Sequence, residues 1–126
     1  MDAAAKEIQK DGCSKAGFLG TKQTMEFGFF QRAFAGHGIE TIIPEQEERD
    51  YVNRVIWEEL VHGKITDKAR QGYKIIIQKL VEKGVQGIIL GCTEIPLLIK
   101  QNDSPVRIYD TTAIHARAIL DYAMEG

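Results

Sequence analysis

Four short apolar runs alternate with longer segments of helical pitch, and this alternation is the strongest constraint on how the chain can fold. "KAGFLGT" (Lys15 to Thr21), "IETII", "VQGIIL" and "VRIYD" read as strands. Their nearly continuous apolar character suits strands buried on both faces of a parallel sheet. Residues 2–10, rich in Ala and Lys, read as a helix that breaks at Asp11-Gly12. Between the first two strands, Met25, Phe29, Phe30, Ala33 and Phe34 recur at helical spacing, with Gly36 and Gly38 as stop signals. Pro44 opens a long amphipathic helix with Glu45, Glu47 and Glu48 near its positive end, running through Tyr51, Val52, Val55, Ile56 and Leu60 to Gly63. Thr66 or Asp67 caps the next helix, which places Ile75, Ile76, Leu80 and Val81 inward. A short helix follows in "TEIPLLIKQN", and "TTAIHARAILDYAM" closes the chain as a helix with Ala113, Ile114, Ala118 and Ile119 on one side.

Strands alternating with helices require right-handed crossovers, so the expected fold class is α/β: one domain, a four-stranded parallel sheet of order 2-1-3-4, and helices on both faces. The expected boundaries are an N-terminal linker helix over residues 1–14 and the α/β lobe over 15–126. At 126 residues the chain matches a common domain size and can bury a sizeable core. The formal net charge is −2, with Lys and Arg scattered rather than striped, which argues against nucleic acid or an anionic membrane as partner. No apolar run approaches the roughly 20 residues that span a bilayer. The first residues carry no hydrophobic signal core, so a cytoplasmic location is expected. Cys13 and Cys92 lack CxxC spacing, which makes zinc or another metal a poor expectation, and a reducing compartment disfavours a disulfide.

In such sheets ligands bind beyond the carboxyl ends of the strands, where the winding reverses, here between strands one and three. The segments at that point are "GTKQT" and "GCTE". Cys92 leaves the core after Gly91, which permits unusual backbone angles and close approach of another group, and precedes a helix start. Unpaired N–H groups and the dipole there should lower the thiol pKa and could hold a substrate carboxylate. Cys92 then reads as a base for a proton beside that carboxylate, or as a small buried thiol ending a strand. Thr93 reads as a substrate ligand or a cap, and Glu94 as an acid–base partner or a complement to the dipole. Thr21 and Thr24 read as carboxylate binders or caps, Asp110 and Thr111 as caps. His37 fits an exposed turn, His62 the end of the long helix, and His115 a satisfied structural position. Cys13 precedes the first strand and lies away from Cys92.

At "GCTEIPLLI" the chain resembles the second cysteine motif of the aspartate/glutamate racemase superfamily, closest to its aspartate racemase and broad-specificity amino-acid racemase branch. "FLGTKQTM", "IPEQEERDYVNRVIWEEL" and "YDTTAIHARAI" agree in order and spacing, so the resemblance runs from about Ala16 onward. It implies two α/β lobes related by a pseudo-twofold axis, each giving one cysteine to opposite faces of a substrate α-carbon, without pyridoxal phosphate, metal or other cofactor. By that resemblance Cys92 is the catalytic cysteine of the second lobe, acting on a small acidic amino acid. Thr93, Thr21 and Thr24 bind substrate, and Glu94 belongs to the motif. Some relatives carry a lysine near the end of the long helix, where this chain reads His62-Gly63-Lys64. The first lobe's "CNT"-type motif has no counterpart here, so the expectation is half of a racemase with little activity as a monomer. Two completions are open: a homodimer with two copies of Cys92 across one cleft, or a separate first lobe. The alternative reading is a catalytically inactive carboxylate-binding or interaction lobe.

Overall fold

The computed structural model describes residues 2–125. Four strands, β1 (Lys15–Leu19), β2 (Glu40–Ile42), β3 (Gly87–Leu90) and β4 (Arg107–Asp110), form one parallel sheet in the order β2-β1-β3-β4. The expected fold and strand order are therefore observed. In register, Ala16 faces Gly87 and Leu19 faces Leu90, while Ile88 faces Ile108 and Leu90 faces Asp110. β2 pairs only with the first half of β1, from Lys15 opposite Glu40 to Gly17 opposite Ile42.

The helices are α1 (Asp2–Lys10), α2 (Lys22–Phe27), α3 (Phe29–Ala35), α4 (Gln46–Glu58), α5 (Asp67–Glu82), α6 (Ile95–Leu98) and α7 (Thr111–Glu125). A 3₁₀ turn at Leu60–His62 extends α4 and another covers Gln101–Asp103. The single helix expected after β1 is two. Gly28 takes φ +81°, a left-handed conformation that suits glycine, and ends α2 before α3 begins. Thr66 caps α5 as expected, its Oγ1 accepting the Ala69 N–H at 3.1 Å.

One core joins all layers. Phe18, Leu19, Ile88, Ile89 and Leu90 from the sheet are fully buried, together with Val52, Val55 and Ile56 of α4 and Tyr73, Ile77 and Leu80 of α5. Ala4, Ala5 and Ile8 of α1 enter the same core, so α1 packs as part of it. The inward face of α5 differs from the expected one: Ile76, Ile77 and Leu80 are buried, Val81 is half-buried and Ile75 is exposed. In α7, Ile114 is buried and Ala118 half-buried, whereas Ala113 and Ile119 are exposed. Among the described residues no helix is long and apolar enough to cross a membrane.

Polar ties fix the periphery. The Tyr73 hydroxyl donates to Val52 O at 2.7 Å, joining α5 to α4. Glu7 of α1 accepts from Arg107 at 2.7 Å and from Arg117, and Asp11 accepts from Arg107 and from the Tyr109 hydroxyl. At the outer edge of β4, the Gln101 amide accepts from Ile108 N at 2.9 Å and donates to Val106 O at 3.0 Å.

Candidate functional site

The carboxyl ends of β1 and β3 lie side by side, and the Gly91 N–H continues their ladder to Leu19 O at 2.8 Å. The chain then turns at Cys92 toward α6. A Cβ at Gly91 would lie 2.4 Å from the Phe18 ring, so close approach is what requires glycine here. Its φ is not in the left-handed region, which leaves the expected unusual backbone angle unused. Phe18 in turn stacks on Phe30 of α3, with ring centroids 5.5 Å apart. These two rings buttress the cysteine loop, a role that their apolar periodicity alone did not reveal.

Cys92 is half-buried against the core. Burial pushes its thiol pKa up; the Ile95 and Glu94 N–H groups pull the other way, and the Glu94 carboxylate beside the thiol adds to the rise. The net direction is upward, which corrects the expected lowering. The physical reason is twofold. α6 has only four residues, so its dipole is short, and the cost of burying a thiolate exceeds what two N–H groups return. Tyr73 lies close enough for the thiolate's charge to disfavour its own ionisation, which burial already suppresses.

Thr21 caps α2: its Oγ1 accepts the Thr24 N–H at 3.3 Å and lies 2.6 Å from Thr24 Oγ1. The structure therefore brings Thr21 and Thr24 together. Thr93 is exposed beside Cys92, and Glu94 is half-buried at the start of α6. Asp110 accepts the Ala113 N–H at 3.1 Å, the expected cap. Thr111 does something else. Its hydroxyl donates to Leu90 O at 2.8 Å and ties the start of α7 to the strand end that carries Cys92.

His115 lines a cleft of about 240 Å³ with Phe30, Thr111 and Thr112. A second cleft of about 450 Å³ lies between Thr21, Gln23, Asn53 and Trp57, where Asn53 accepts the Lys22 N–H at 2.9 Å. The wider cleft of about 670 Å³ between the start of α4 and the end of α5 is lined by Glu45, Glu48, Lys79 and Lys83 and does not include Cys92. His62 and Lys64 are exposed after α4, and His37 is half-buried, its carbonyl accepting from Gln9. Cys13 is buried at the opposite end of the sheet, since it precedes β1 whereas Cys92 follows β3. Both cysteines are free thiols, and no cluster of three or more metal-ligating side chains occurs among the described residues.

Comparison with known proteins agrees with this architecture. The chain superimposes with a TM-score of 0.92 on a candidate Asp/Glu racemase from Yersinia pestis, at 51% identity over 98% of this chain and 54% of that one. An aspartate racemase homologue from Pyrococcus horikoshii OT3 gives 0.90 at 39% identity, again over 98% and 54%. Picrophilus torridus aspartate racemase gives 0.70 at 27% identity, over 86% and 45%. An uncharacterised protein from the pnlA 3' region of Pectobacterium carotovorum subsp. carotovorum is 25% identical over 117 residues, 89% of this chain and 75% of that protein. The chain thus spans about half the length of the solved structures it matches. The Asp/Glu/hydantoin racemase family model matches residues 1–119, and the chain belongs to that family.

Proposed function

We propose that this chain is the Cys92-bearing lobe of a cofactor-independent racemase acting at the α-carbon of a small acidic amino acid. The observation that carries the reading is the position of Cys92, just past the carboxyl end of β3, whose neighbour β1 leads at the same end of the sheet into the paired Thr21 and Thr24. As thiolate, Cys92 takes the α-proton: the Cα–H bond breaks, an S–H bond forms and the electron pair passes into the substrate carboxylate as an enediolate. A second group on the opposite face returns a proton to Cα, because one thiol does not reach both faces of a held carbon. That group belongs to a partner lobe or a second copy. Thr93 and the Thr21–Thr24 pair hold the substrate carboxylates, and Glu94 sets the protonation of Cys92.

The elevated thiol pKa favours a second reading, a catalytically inactive lobe that binds a carboxylate or a partner. Deuterium incorporation at the α-position of L- and D-aspartate and glutamate in heavy water separates the two. The expected result is incorporation by the wild type that is lost in Cys92→Ala. Exchange without inversion would mean one working base, and inversion a complete two-group site. No incorporation by the wild type would mean that the lobe is inert alone, and the same assay with the partner lobe present would then decide between the two readings.

A further inference from the structure

We propose that Thr111 is a positioning residue for Cys92: its hydroxyl fixes the last peptide group before the cysteine loop and so keeps the thiol against the core. That peptide joins Leu90 to Gly91 and carries one acceptor and one donor. Its N–H reaches Leu19 O of β1 at 2.8 Å, and its C=O accepts the Thr111 hydroxyl, also at 2.8 Å. A peptide group is planar and its two polar atoms point to opposite sides, so a bond on each side removes its freedom to rotate. Pairing of β3 with β4 ends at Leu90 opposite Asp110, and the residue after Asp110 supplies a side chain for this last carbonyl.

Packing around this corner is thin. Among the first four residues of α7 only Ile114 is buried, and the cleft of about 240 Å³ between Phe30 and His115 opens beside them. The Phe18 ring limits the approach of Gly91 but offers the Leu90 carbonyl no donor. Leu90 is fully buried, so a carbonyl deprived of the hydroxyl loses its donor in a dry place and regains one by turning toward water. That turn rotates the peptide and carries Cys92, two residues on, outward. Burial is the main reason the thiol holds its proton; the Glu94 carboxylate adds to it, and Tyr73 of α5 lies close by. A cysteine released toward water therefore loses its proton at lower pH. The bearing of Thr111 on turnover rests on the racemase reading, whereas its hold on the thiol does not. An assay of the thiol needs no turnover, so failure of α-proton exchange and failure of this inference are told apart.

Alkylation by iodoacetamide across a pH series, read by mass spectrometry of the Cys92 peptide, tests it on the wild type, Thr111→Val, Thr111→Ser and Thr112→Val. Thr111→Val keeps the shape and removes the hydroxyl, Thr111→Ser keeps the hydroxyl, and Thr112→Val changes an exposed neighbour at the same helix start. Far-ultraviolet circular dichroism checks that each variant folds. Thr111→Ala removes the same hydroxyl without adding bulk and takes over where Thr111→Val does not fold. The expected result is a Cys92 midpoint lower by about half a pH unit or more in Thr111→Val, and alkylation about threefold faster below the midpoint. Thr111→Ser and Thr112→Val stay at the wild-type value. Cys13, at the opposite end of the sheet, is the internal reference, and its midpoint does not move. An unchanged or higher Cys92 midpoint in Thr111→Val overturns the proposal, as does an equal shift at Cys13, in Thr112→Val or in Thr111→Ser.

Discussion

Cys92 shows how two local effects compete and which one wins. The N–H groups of Glu94 and Ile95 favour thiolate, burial and the Glu94 carboxylate favour thiol, and the thiol prevails. Alkylation of Cys92 by iodoacetamide, followed by mass spectrometry of its peptide, should therefore rise with pH around a midpoint above that of the unfolded chain. A midpoint below it would mean that the two N–H groups outweigh burial. The linkage has a definite sign. An acid whose pKa is raised on folding keeps its proton longer in the native state, so stability falls as pH climbs past the ordinary thiol value. Cys13, also raised by burial, acts in the same direction. The sequence located Cys92 on the correct rim because the end of an apolar run and a helix start are local signals. Its protonation was not legible, since that depends on burial in the folded chain and on a glutamate whose orientation no spacing reveals. Gly91 is similar: glycine was evident, but its reason is a ring from Phe18, a tertiary contact.

At the scale of elements, the break between α2 and α3 rests on one glycine. Gly28→Ala must hold an L side chain at φ +81°, which should cost about 1 kcal/mol or somewhat more, read as a lower urea midpoint with the slope unchanged. An unchanged midpoint would mean that the break lies elsewhere or carries no strain. The apolar periodicity from Met25 to Phe34 runs straight through that position, so the pattern gave no sign of two helices. The inward face of α5 failed for a related reason. Ile75, Ile76 and Ile77 are consecutive, and three successive residues sweep about 200° of a helix, wider than the apolar stripe of about 100° that a surface helix turns to the core. One of them must be exposed, and only packing against Tyr73, Leu80 and the sheet selects Ile75. α7 turned out more exposed than its pattern suggested because Ala113 and Ile119 look out where the lobe has no further layer.

For the whole molecule, the order β2-β1-β3-β4 was legible because short connections and right-handed crossovers leave few alternatives for four parallel strands. The attachment of α1 was less so, and it can be weighed. Its Glu7 pairs with Arg107 and Arg117, and Asp11 just beyond it pairs with Arg107; the two arginine side chains are 46% and 63% exposed, so each pair is worth less than about 1 kcal/mol. Ile8, by contrast, is fully buried. Ile8→Ala should cost about 2–5 kcal/mol, whereas Glu7→Gln should lower the melting temperature by only a few degrees. Thermal unfolding of the two variants decides it. Equal losses would mean that charge rather than burial holds α1 in place.

The amide of Gln101 gives the sheet its end. It offers β4 one acceptor and one donor at the spacing of a neighbouring strand, meeting Ile108 N and Val106 O where a fifth strand would otherwise form its ladder. A single side chain thus stands in for a segment of backbone, and a stray extended chain finds those two positions already taken.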